Sequence, residues 1–163
     1  MRVLGIDPGT AVVGYAVIED GGRAPRALAY GVVRAAAPGA TSLPDRLRRV
    51  FHGLLQVIRE GRPDAFAIES AFVCKNARSA LKIGEGRAAA ILAAAEAGLP
   101  VFEYAPALVK RAVTGTGAAR KAQVAEMMRR VLGLSAPPRP ADAADALAVA
   151  FCHLHRARRM VAR

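Results

Sequence analysis

Asp7 closes the apolar run Val3-Leu4-Gly5-Ile6, and Glu69 closes a second one, Ala65–Ile68. Asp142 and Asp145 stand three residues apart at the start of the last helical segment, a spacing that points both along one face. In a mixed sheet two strand ends can lie beside a helix end, so the four carboxylates can converge. The chain has only thirteen acids against twenty-four Lys and Arg, which makes that placement informative. Hydrolysis of a phosphodiester needs a nucleophilic water and neutralisation of charge on the leaving oxygen. Two divalent cations about 3.5–4 Å apart supply both. Mg²⁺ is hard and takes carboxylate, phosphate and water oxygens in preference to Cys or His. Clustered carboxylates repel one another, which favours a bound cation or raised pKa values.

Each acid also has a plainer account. Asp7 opens the turn Asp7-Pro8-Gly9-Thr10, a usual place for Asp. Glu69 can cap the segment that follows it. Asp142 and Asp145 suit the first turn of a helix that begins after Pro140, where the dipole favours acids. Singly these accounts suffice; jointly they must explain acids at two strand ends and one helix start. Two other motifs are decoys. Gly115–Lys121 resembles a phosphate loop, but Arg120 occupies the place of its second Gly and Ala122 that of its Ser/Thr. His153 and His155, two apart on a helix, point to different faces and make poor joint ligands.

The elements that must position the acids follow from periodicity. Val3–Ile6, the alternation of Val13, Tyr15 and Val17, and Ala27–Val33 predict three strands joined by short turns, an antiparallel meander. Leu47, Phe51, Leu54 and Ile58 recur at helical spacing. The buried-type strand Ala65–Ile68 precedes a long helix from about Asn76 to Ala97, stopped by Gly98 and Pro100. Its second half is apolar nearly all round and is expected to be covered on most sides. Val101–Tyr104 is a fifth strand, and Pro106–Val113 and Lys121–Leu132 are helices around Thr114-Gly115-Thr116-Gly117. A rigid Pro137-Pro138-Arg139-Pro140 spacer leads to a final helix from about Ala141, with Ala144, Leu147, Ala148, Phe151 and Leu154 on its apolar stripe. The sum is one α/β domain over residues 1–163, a five-stranded mixed sheet flanked by helices.

The net charge of +11 points to a polyanionic partner. Lys75, Arg78 and Lys82, spaced by three and four, form a basic helical stripe that suits a phosphate backbone or a solvated face. Cys74 and Cys152 lie far apart without a C-x-x-C pair, the usage of a reduced, cytoplasmic protein. Met1-Arg2 runs straight into the first strand, so no signal peptide is expected. The most apolar stretch, Ala88–Ala95, is well short of the roughly 18 residues of a membrane span; it is a candidate dimer contact, with burial inside the protomer as the competing reading.

Gly5-Ile6-Asp7-Pro8-Gly9, then Ile68-Glu69 with Phe72 three residues on, then Ala141–Ala148, occur in the order of one family's motifs. Val109-Lys110, Gly115-Thr116-Gly117 and Lys121-Ala122-Gln123-Val124 add to the likeness. In these residues the chain resembles the RuvC family of crossover junction (Holliday junction) endodeoxyribonucleases over nearly its whole length. The resemblance implies a ribonuclease H-like fold, a homodimer, and symmetric cutting of two strands of a four-way DNA junction to leave ligatable nicks. It implies Mg²⁺ or Mn²⁺ at Asp7, Glu69, Asp142 and Asp145, of which Asp142 matches a position that is His in some relatives. It assigns DNA contacts to Lys110 and Lys121, base stacking to Phe72, and a branch-migration motor (RuvA and RuvB) as partner. Arg120 beside Lys121 adds charge, and Lys121 suits a point-charge contact to the scissile phosphate.

Three rivals make different predictions. An ATP-binding domain of the actin and sugar-kinase class also opens with Asp-x-Gly-Thr, but needs a second lobe and a later glycine-rich motif. A related ribonuclease H-like nuclease would prefer RNA or another branched substrate. A basic nucleic-acid-binding module would tolerate loss of Asp7, Glu69 or Asp145.

Overall fold

The computed structural model describes residues 1–9, 11–36, 42–70 and 77–161. Three strands open the chain: β1 (Arg2–Asp7), β2 (Val12–Asp20) and β3 (Pro25–Arg34). They form the expected antiparallel meander. Helix α1 (Leu43–Gly61) leads to β4 (Ala65–Glu69), and α2 (Ala77–Glu96) to β5 (Val101–Tyr104). Both β4 and β5 run parallel to their neighbours, giving the order β3-β2-β1-β4-β5. Helices α3 (Pro106–Thr114), α4 (Lys121–Val131) and α5 (Ala141–Val161) complete the chain.

Strand alternation divides the core into two layers. Leu4, Ile6, Phe66 and Ile68 pack with Val50, Leu54 and Ile58 of α1 and Ala90 and Ala94 of α2. Val3, Ala16 and Ala67 face the other way and pack with α3, α4 and α5. α1 starts where the Ser42 hydroxyl accepts the Asp45 N–H at 3.3 Å, a side-chain N-cap.

The two long apolar helices exchange expected roles. The first half of α5 is buried almost all round, with every residue from Ala146 to Ala150 inside, so its apolar stripe is wider than the sequence suggests. The second half of α2, expected to be covered on most sides, leaves Ala88, Leu92 and Ala95 open, with Leu92 at 61% exposure. The physical reason is position. α5 lies centrally across β1 and β2 with α3 and α4 over it, whereas α2 is an outer helix that packs on α1 and the sheet.

Candidate active site

Asp7 and Glu69 are brought together by strand register. The parallel β1–β4 ladder pairs Val3 with Ala65 and Ile6 with Ile68. The same offset sets Asp7 beside Glu69 at the C-terminal ends of adjacent strands. Alternation turns both side chains to the α5 layer, the side faced by Val3 and Ala67.

Two glycines bring α5 to them. Gly5 lies two residues before Asp7, and a Cβ there would stand 2.3 Å from the Ala146 carbonyl oxygen and 2.5 Å from the Ala150 nitrogen. Gly14 is the ladder partner of Asp7, and its Cβ would stand 2.0 Å from the Asp142 carbonyl oxygen. Only bare backbone permits this approach. The first turns of α5 therefore rest on the strand that ends in Asp7, with Asp142 and Asp145 beside it.

The α3–α4 hairpin supplies the opposing charge. Thr114 Oγ1 donates to the Lys110 carbonyl at 2.9 Å, and Gly115 ends α3 in the left-handed region at φ 82°. The Arg120 N–H donates to Gln123 Oε1 at 2.8 Å, starting α4 at Lys121. Asp7, Glu69, Asp145, Lys110 and Lys121 then line one cleft of about 270 Å³, walled by Val109, Val124, Ala148 and Val149.

Burial and crowding of like charge act on these acids. Burial pushes the Asp7 carboxyl up to about 7, and Asp145, Glu69 and Asp142 push the same way against the pull of Lys121. Glu69 is also raised, by burial first and then by Asp145, while Lys121 and Lys110 oppose. Lys121 Nζ pairs with Asp145 Oδ2, and that bond holds the ammonium above its ordinary value. The Lys121 side chain is 72% exposed and that of Asp145 20%, so the lysine is free to swing. Among the described residues no three His, Cys, Asp or Glu side chains are already drawn together tightly enough to grip an ion. Asp145 is engaged by Lys121 instead.

The structure brings together five of the expected site residues: Asp7, Glu69, Asp145, Lys110 and Lys121. Asp142 does not line the cleft, but its charge is felt by both Asp7 and Lys121. Arg120 is exposed at the start of α4, outside the cleft lining. Arg78 and Lys82 fall within α2 with side chains outside the described residues, and Phe72 and Lys75 lie outside the described residues altogether. His153 is buried against the Tyr104 hydroxyl at 2.7 Å, whereas His155 is exposed. The pair is split between core and surface, as their spacing indicates.

Arg87 also touches the site, although it belongs to no motif in the sequence. Its Nε donates to the Glu69 carbonyl at 3.3 Å, and its guanidinium lies 2.6 Å from Glu103. The available signal was a charge on a buried face: Arg87 is three and seven residues before Ala90 and Ala94, both fully buried.

Comparison with known proteins identifies the family. The family model described as "Crossover junction endodeoxyribonuclease RuvC" matches residues 3–153. A protein of that name from Shewanella amazonensis is 51% identical over 160 residues, covering 98% of this chain and 90% of the relative. One from Photorhabdus laumondii is 53% identical over 153 residues, covering 94% and 86%. The structure of T. thermophilus RuvC in complex with a Holliday junction substrate superposes with a TM-score of 0.87 at 38% identity, covering 98% of this chain and 96% of that one. The yeast mitochondrial Holliday junction resolvase Ydc2, at 13% identity and a TM-score of 0.65 over 98% and 82% of the two chains, shares the fold. The five-stranded mixed sheet with its flanking helices is thus the ribonuclease H-like architecture. The chain belongs to the RuvC family of crossover junction endodeoxyribonucleases.

Proposed function

We propose that residues 1–163 form one nuclease domain that resolves four-way DNA (Holliday) junctions by paired, symmetric nicking in recombination and repair. The observation that carries this reading is the convergence of Asp7, Glu69 and Asp145 with Lys110 and Lys121 in one cleft. A cluster of carboxylates, half-buried and mutually repelling, is costly as plain structure.

The donor set fits divalent metal. Asp7, Glu69, Asp145 and the neighbouring Asp142 offer only hard oxygen ligands, the chemistry of Mg²⁺, with Mn²⁺ able to substitute. Burial, and after it the crowding of Asp145, Glu69 and Asp142, raises the Asp7 carboxyl, and a cation bound beside it would offset both. Asp7, Glu69, Asp142 and Asp145 would hold two such cations, which would supply an activated water and neutralise charge at the phosphate and the departing oxygen. The chain's own residues do the rest. Lys121, paired with Asp145 on the open side of the cleft, offers its ammonium to a non-bridging oxygen of the scissile phosphate and leaves Asp145 free to act as a ligand. Lys110 also lines the cleft and adds positive charge. Arg120 extends the basic strip along the α3–α4 hairpin.

Phe72 stacks on an unpaired junction base, and Lys75, Arg78 and Lys82 follow the phosphate backbone. Symmetric cutting of two strands calls for two such clefts, so the active form is a homodimer. The open face of α2, with Leu81 at 70% and Leu92 at 61% exposure, is the surface that suits it. The protein works with the branch-migration motor of RuvA and RuvB in the cytoplasm. No helix among the described residues is long and apolar enough to cross a membrane.

The test separates binding from cutting. Asp7→Asn should bind a synthetic four-way junction at least as tightly as the unsubstituted protein, since it removes a negative charge, and should not cut it in Mg²⁺. Retained cutting by that variant would remove Asp7, and the reading with it.

A further inference from the structure

The aim of the Glu69 side chain depends on how the end of β4 is held. The N–H groups of Phe66 and Ser70 donate to the carbonyls of Pro100 and Tyr104 at 3.0 and 2.9 Å. In a parallel ladder a residue's N–H and C=O point to the same neighbour, and successive residues alternate between neighbours. The peptide groups of Glu69 are therefore turned towards β1. β1 ends at Asp7, and the residue next in line to serve the Glu69 carbonyl is Pro8, which has no N–H. The Asp-Pro turn that follows one acid thus deprives the other of its strand donor.

Arg87 replaces it. From α2 its Nε donates to the Glu69 carbonyl at 3.3 Å, and its Nη2 lies 2.6 Å from Glu103 Oε2. Glu103 is the β5 partner of Ile68, one residue before Glu69 on β4. Nη2 is fully buried and its contact with Glu103 is not aligned as a hydrogen bond, so the attachment is Coulombic while the directional bond is the one to Glu69. Arg87 is 15% exposed and Glu103 53%; one end of the pair is fixed in the core and the other stays hydrated. A rigid guanidinium fork can address both acceptors at once, whereas a single ammonium serves them less well.

We propose that Arg87, anchored by Glu103, is a positioning residue: it takes the place of the N–H that Pro8 lacks and thereby sets the Glu69 carboxylate in the cleft. The proposal rests on Glu69 being a ligand for divalent cations. It predicts an effect on metal that a mere strut between α2 and the sheet would not produce.

The experiment measures Mn²⁺ binding to the full chain from the electron paramagnetic resonance signal of free Mn²⁺. Melting temperature and junction affinity in EDTA are recorded alongside. Arg87→Met should weaken Mn²⁺ binding about tenfold, the size of effect seen when a group that orients a metal ligand is removed, with junction affinity in EDTA unchanged. Glu103→Gln should shift Mn²⁺ binding in the same direction by less, and Arg87→Lys should fall between Arg87→Met and the unsubstituted protein. Unchanged Mn²⁺ affinity in Arg87→Met, with only the melting temperature lowered, overturns the proposal. If Arg87→Met does not fold, unchanged affinity in both Arg87→Lys and Glu103→Gln overturns it. Glu69→Gln separates the metal site itself from the role of Arg87. If it binds Mn²⁺ as the unsubstituted protein does, Glu69 is not a ligand and the site reading fails; if it loses Mn²⁺ while Arg87→Met does not, only the role of Arg87 fails.

Discussion

Asp7→Asn should make the metal-free protein more stable while ending its activity. In the fold the Asp7 carboxyl is raised from its ordinary 3.8 to about 7, by burial first and then by its acidic neighbours. An unfolded Asp gives up its proton near 3.8, so between these values the folded chain holds a proton that the unfolded chain has lost. The stability contributed by protonated Asp7 is complete below about pH 4 and is lost as the pH rises through about 7. Above that, ionised Asp7 weighs against the fold. At about 1.4 kcal/mol per pH unit the ceiling on that cost is about 4 kcal/mol. Asp7 lines an open cleft, so solvent screening brings the expectation down to about 2 kcal/mol. For a chain of this length that is a rise of about 4–8 °C in melting temperature. The assay is thermal unfolding followed by circular dichroism in EDTA at pH 5 and pH 8. The variant should exceed the unsubstituted protein clearly at pH 8 and by much less at pH 5. Adding Mg²⁺ should then stabilise the unsubstituted protein and narrow the gap. An equal or lower melting temperature for the variant at pH 8 refutes the electrostatic reasoning.

Other outcomes follow from the same geometry. Lys121→Ala should cut junctions far more slowly yet lose less than about 1 kcal/mol of stability, because the lysine end of its ion pair is exposed; single-turnover cleavage and urea unfolding check the two halves. Gly14→Ala should displace the start of α5, since its Cβ would stand 2.0 Å from the Asp142 carbonyl oxygen. A cost of about 1–3 kcal/mol is expected, with cleavage lost in the folded fraction. If the open face of α2 joins the proposed homodimer, Leu92→Glu on that face should give a monomer by light scattering, where the unsubstituted protein gives a dimer, without lowering the helix content.

The strand ends were legible because β1 and β4 are short apolar runs that stop at an acid, and a parallel register between them is enough to pair Asp7 with Glu69. The placement of Asp145 was legible in part. Its spacing from Asp142 shows a shared helix face, but the approach of α5 depends on what Gly5 and Gly14 lack, and a missing Cβ carries no periodicity. The pairing of Lys121 with Asp145 spans twenty-four residues of sequence and is decided by the α3–α4 hairpin. Arg87 was hidden for a related reason. In an Ala-rich helix a lone Arg reads as a solvated charge, and only the β4–β5 register and the missing Pro8 N–H show what it touches. Burial of α5 and exposure of α2 were harder still, because both helices are apolar and only the layer order decides which lies in the middle.

The most direct test of the central claim offers the purified protein a synthetic four-way junction and a linear duplex of matched sequence, with and without Mg²⁺, each strand labelled in turn. The account predicts paired nicks at symmetric positions in two strands of the junction alone, dependent on metal, sealed by ligase and absent in Asp7→Asn. Tight junction binding without cutting across Mg²⁺ and Mn²⁺, or equal cutting of the duplex, would contradict it.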